Sequence, residues 1–94
     1  MDRAELKRIT THDGLVGALF LDEGPLREHS VVLHPREADW AVYLTDERAS
    51  VIGTTLRVFA DEPDALEYML HKVRQGAQAE LAMERLRRRS RGQI

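Results

Sequence analysis

The apolar positions of this 94-residue chain change period once. As far as about Phe59 they alternate or cluster in short runs, and beyond it they recur every three to four residues. The cleanest alternation is DWAVYLTD, where Trp40, Val42 and Leu44 share one side and Ala41, Tyr43 and Thr45 the other, as a half-buried strand demands. Trp40 is thereby expected to anchor the core. SVIGTTLRVF reads as a second strand, with Ile52, Thr54, Leu56 and Val58 on one face. Gly53 within it marks a bulge or a close backbone approach. REHSVVLH is a third strand, bounded by Gly24-Pro25 and Pro35.

KRITTHDGLVGALFL reads as a hairpin. Thr10 and Thr11 suit a strand, Asp13-Gly14 is a turn signal, and Leu15 to Leu21 are apolar at nearly every position. Such a run predicts a strand covered on both faces or central in the sheet. A helix over Asp2–Ile9 is the alternative for the first arm, because Leu6 and Ile9 share a helical face.

Past Phe59 the pattern is helical. Asp61 suits an N-cap, Pro63 is tolerated in a first turn, and Asp64 follows Asp61 by three positions. The spacing predicts a helix from about Glu62 to about Arg89. Leu66, Met69, Leu70, Val73, Ala77 and Leu81 form its main stripe, the face expected on the sheet. Because this stripe ends at Leu81, the segment beyond is expected to project. A second, weaker stripe joins Ala65, Tyr68, Ala79, Met83 and Leu86, of which Tyr68, Ala79, Met83 and Leu86 are a candidate homodimer seam. The expected fold is one α+β domain spanning the chain. In it an antiparallel β-meander of four or five strands, over about residues 3–59, is covered by one long C-terminal helix.

Charge alters this picture more than composition does. The net charge of −2 hides an asymmetry: residues 85–94 hold five arginines and no acid, while the rest of the chain balances at −7. An acidic body with a basic tail points to charged partners. Glu37, Asp39, Asp46 and Glu47, all in turns or at strand ends, are candidate contacts for a protein with a basic surface. Arg85, Arg87, Arg88, Arg89 and Arg91 are candidate contacts for a polyanion. One or two of them are accounted for by the helix dipole. The tail lacks an aromatic for base stacking, so nucleic-acid contact would be to phosphate and weakly specific.

Catalytic and metal chemistry find little support. There is no cysteine, and His12, His29, His34 and His71 lack the spacing of a metal motif. The carboxylate pairs Asp22/Glu23, Asp46/Glu47 and Asp61/Glu62 sit at element ends, where capping and turn chemistry explain them. Ser30, Ser50 and Ser90 have no nucleophile-elbow context, and no phosphate-cradling glycine loop is present. No signal-peptide pattern opens the chain, and its longest apolar run, LVGALFL, is too short to cross a bilayer. The expectation is a soluble, cytoplasmic, non-enzymatic binding protein without cofactor, metal or membrane partner. Its most concrete form is a small acidic immunity-type or inhibitor protein that blocks a basic partner. The alternative is a nucleic-acid-associated accessory protein using the arginine tail.

Overall fold

The computed structural model describes residues 1–91, the last two through their backbone only. The elements are α1 (Arg3–His12), β1 (Ala18–Phe20), β2 (Val31–Pro35), β3 (Trp40–Thr45), β4 (Val51–Phe59) and α2 (Glu62–Arg91). The strands form one sheet in the order β1-β2-β3-β4.

The first arm is a helix, not a strand. Asp2 caps it by accepting from the Glu5 backbone N–H at 2.8 Å. Its one fully buried residue, Leu6, enters the core, with Ile9 packed beside it. Asp13-Gly14 closes this helix instead of turning a hairpin. Gly14 takes φ +64°, its N–H donates to the Thr11 carbonyl at 3.3 Å, and the Leu15 N–H donates to the Thr10 carbonyl at 2.8 Å. That pair of bonds is a Schellman cap, which wants glycine at the left-handed position as strongly as a hairpin turn does.

The meander also needs correction. β2, β3 and β4 are antiparallel neighbours, but β1 runs parallel to β2, pairing Ala18 with Val31 and Phe20 with Leu33. The chain therefore crosses back over residues 21–30 without a helix. Apolar as it is, β1 is a three-residue edge strand and not a central one. In β4 the expected irregularity at Gly53 is a large bulge: Val42 pairs with Arg57 but Leu44 with Ile52. The slip puts Ile52 on the face of Leu44 and Val58 on the opposite face with Ala41, so the four residues expected to share a face do not.

One face of the sheet is covered by α2, with α1 alongside. Leu33 and Val42 meet Leu66, Met69, Leu70 and Val73 of α2 and Leu6 of α1, and Trp40 and Phe59 pack at the margin. Asp61 caps α2, accepting from the Asp64 N–H at 3.1 Å.

Arg3 ties the top of this assembly together. Its guanidinium reaches Asp22 at 2.9 Å, Glu23 at 3.0 Å and Glu62 at 3.1 Å, and lies over the Phe20 ring at 5.0 Å. It thus joins α1 to the end of β1 and the start of α2. Hydrogen bonds from Lys7, then Arg3, hold the Glu23 carboxyl below the usual carboxylate range. A depressed carboxylate contributes stability above its unfolded pKa and loses it as pH falls through the folded one. The urea midpoint should therefore drop between neutral pH and about pH 3. Lys7→Ala should flatten that dependence; an unchanged slope would mean that the contact contributes nothing.

The bottom of the sheet is held by Thr45. Its buried hydroxyl accepts from the Ser30 N–H at 2.8 Å and donates to the Arg27 carbonyl at 2.6 Å, pinning the crossover segment to the end of β3. Thr45→Val keeps the shape but leaves the Ser30 N–H without this acceptor. The expected cost is about 1–3 kcal/mol, measured by chemical denaturation. A cost near zero would mean that the segment is held by other contacts.

A candidate binding cleft below the sheet

Both helices run from the top of the sheet to its bottom, but α2 does not stop there. Its 30 residues extend about 45 Å at 1.5 Å per residue, against a longest molecular dimension of 56 Å. Val73 is its last buried residue, Ala77 is half-buried, and every described side chain from Gln78 onward is exposed. The contact with the sheet therefore ends a full turn before Leu81, which is 55 % exposed and not the last core position.

The overhang makes one wall of a cleft of about 1810 Å³. Ala77, Glu80, Leu81 and Glu84 line that wall. The loop from Asp13 to Gly17, the crossover segment at Arg27–Ser30, and the β3–β4 turn at Asp46 and Glu47 line the rest. Gly17 holds the first loop in place: at φ +98° its carbonyl accepts from the Val31 N–H at 2.7 Å, and an added Cβ would lie 3.3 Å from the His29 carbonyl. This arrangement leaves Val16 82 % exposed, the most exposed large apolar side chain among the described residues.

The four carboxylates expected to form one partner surface do not come together. Glu37 and Asp39 lie in the β2–β3 turn and Asp46 and Glu47 in the β3–β4 turn, so the six residues of β3 separate them, about 20 Å along the strand. Asp39 is paired with Arg36, which holds its carboxyl below the usual range. Asp46 reaches the cleft, but its Oδ1 also accepts from the Ser50 N–H at 3.0 Å and the Arg48 N–H at 2.9 Å. These two backbone bonds depress its pKa and make it the organiser of the turn. Glu47 is exposed.

The arginines are not gathered on one side either. At about 100° per residue, Arg85, Arg87, Arg88 and Arg89 radiate around α2. Arg87 and Arg88 line the cleft, and Arg88 is bonded to Glu84 at 3.0 Å. The side chain of Arg91 lies outside the described residues. Of the candidate seam, Tyr68 is already engaged: its ring meets Phe59 at 5.2 Å, and Lys72 Nζ lies 5.6 Å above it. Ala65, at the start of that stripe, belongs to the core. Ala79, Met83 and Leu86 are exposed.

No protein family, curated protein or solved structure matches the chain. The chemistry of the cleft therefore has to be read from its own residues. Val16, Glu80 and Glu84 are among the lining residues that the sequence did not mark as contacts. Val16 was legible only as part of an apolar run, and Leu81 only as the end of a core stripe.

Among the described residues, no three His, Asp or Glu side chains come together to hold a metal ion, and no helix is long and apolar enough to cross a membrane. Hydrogen bonding to His12 holds the Asp13 carboxyl below its usual range, as the turn does for Asp46. A carboxylate serving as general acid near neutral pH requires the opposite shift.

Proposed function

We propose that the chain is a non-enzymatic protein-binding module, most concretely an acidic immunity-type or inhibitor protein whose cleft takes a basic segment of its partner. The observation that carries this reading is the pair of exposed apolar side chains, Val16 and Leu81, on facing walls of a cleft rimmed by carboxylates. Off the helix, the lining holds Glu28, Asp46 and Glu47 against one cation, Arg27, beside Glu23 and Asp13, whose carboxylates are paired with Arg3, Lys7 and Arg74. Such a rim draws a cationic segment in, and burial of Val16 and Leu81 would hold it there.

Size argues in the same direction. Small-molecule pockets are about 300–1,000 Å³ and enclose their ligand. At about 1810 Å³ this cleft is larger and open to solvent, with room for roughly four turns of a helix about 10 Å across.

The test is comparative affinity capture from cells that make the protein, using the wild-type chain and Glu28→Lys/Glu47→Lys. Both changes are on exposed body residues away from α2, and Asp46 is spared because it organises the turn. A protein with a basic surface should co-purify with the wild type and be lost with the variant. Capture of nuclease-sensitive nucleic acid by both forms would favour the arginine tail and overturn the proposal.

A further inference from the structure

The side of α2 that looks into the cleft carries Ala77, Glu80, Leu81, Glu84, Arg87 and Arg88, with Gly76 also on the lining. A different line runs along the adjoining flank of the overhang and meets the cleft at Gly76. Gly76, Ala79, Met83 and Leu86 recur at alternating steps of three and four residues, the spacing of a coiled-coil seam. All four are exposed, Met83 to 53 % and Leu86 to 57 %. The line lies toward the β4 flank of α2, the flank on which Tyr68 meets Phe59; the opposite flank faces α1, where Arg74 approaches Asp13 at 3.7 Å. Glu80 and Arg87 each stand one residue beyond a seam position, after Ala79 and Leu86.

We propose that two copies of this chain associate through that line as an antiparallel helix pair, Met83 of each lying against Leu86 of the other. Charge selects the partner, the direction and the register. In this register Glu80 of one copy stands beside Arg87 of the other, and the two-fold axis repeats the ion pair. The remaining flank sets Arg89 against Ala82, so no like charges meet. Sliding the helices by one heptad, to put Met83 on Ala79, brings the two Glu80 side chains together and wastes Leu86 on Gly76. A parallel pair loses both ion pairs and lays the arginine cluster of one copy along that of the other. The overlap covers about residues 78–91, roughly 20 Å of helix, so the interface is small and the association weak. Glu80 and Arg87 also line the cleft, so the helix pair borders it, while Ala77, Leu81 and Glu84 lie outside the seam. This inference does not depend on what the cleft binds.

The test is sedimentation equilibrium of the full chain from micromolar to millimolar concentration, at low salt. The weight-average mass should rise from 10.8 kDa toward twice that value. Met83→Glu should hold the chain at monomer mass. Glu80→Arg alone and Arg87→Glu alone should each weaken the dimer about tenfold, since each turns two attractions into two repulsions. The double variant Glu80→Arg/Arg87→Glu should restore it, because the ion pairs re-form with signs exchanged. All these positions lie on the overhang, so the fold is not at risk. Glu28→Lys/Glu47→Lys should leave the dimer unchanged, which separates this test from that of the cleft. A monomer at every concentration would overturn the proposal, and so would single charge swaps without effect or a double variant weaker than either single one.

Discussion

Leu66→Ala is expected to lower the unfolding free energy by about 3–5 kcal/mol, whereas ending the chain at Gln78 should change it by less than about 1 kcal/mol. Leu66 is fully buried among Leu33, Val42 and Met69. Its truncation removes apolar burial and leaves a cavity that the sheet on one side and α1 on the other cannot readily close. A loss of that size is a large part of the total stability of a domain this small. Every described side chain that the shortened chain discards is, by contrast, exposed. Paired denaturation curves decide the matter. A truncated form that unfolds as readily as Leu66→Ala would place the overhang against the body and remove the cleft wall.

The second large effect is kinetic. Once a partner has been captured, Glu28→Lys/Glu47→Lys should slow its association at least about tenfold at low ionic strength, with a smaller change in dissociation rate. Two charge reversals shift the body by four units against a wild-type body charge of −7. The deficit should shrink as salt is added, because exposed charges are screened over about 8 Å at physiological ionic strength. Stopped-flow or surface-based kinetics at two salt concentrations would show this. An unchanged on-rate with a faster off-rate would mean that these carboxylates make short-range contacts and do not steer the encounter.

Much of the fold was legible in the residues. The alternation at Trp40–Thr45 and the N-cap at Asp61 mark β3 and the start of α2 as observed, because each rests on a local rule that tertiary packing did not override. Where reading failed, one local signal served two structures. Asp13-Gly14 suits a hairpin turn and a helix cap equally, since both need a residue at positive φ. The apolar run Leu15–Leu21 resembles a central strand because nothing local separates apolar residues that pack on the core from Val16, which is left exposed at the cleft. The parallel β1–β2 pair depends on Arg3 and Thr45 holding the two ends of the crossover segment, contacts between residues far apart in the chain.

The candidate site was less legible for the same reason. Sequence spacing brings Glu37, Asp39, Asp46 and Glu47 close along the chain, yet the length of β3 sends them to opposite ends of the sheet. It gives no hint that Glu28, Glu47 and Glu80 line one cleft, which exists only because α2 outruns the sheet. The overhang itself was predictable, since the apolar stripe runs out while the helical pattern continues.

Hydrogen exchange of the chain, free and bound to its captured partner, tests the cleft most directly. Slower exchange should appear together in the Asp13–Gly17 loop, the Arg27–Ser30 segment, the β3–β4 turn and the cleft-facing turns of α2 around Leu81. Protection confined to residues 85–91, or to the sheet face away from α2, would contradict the account.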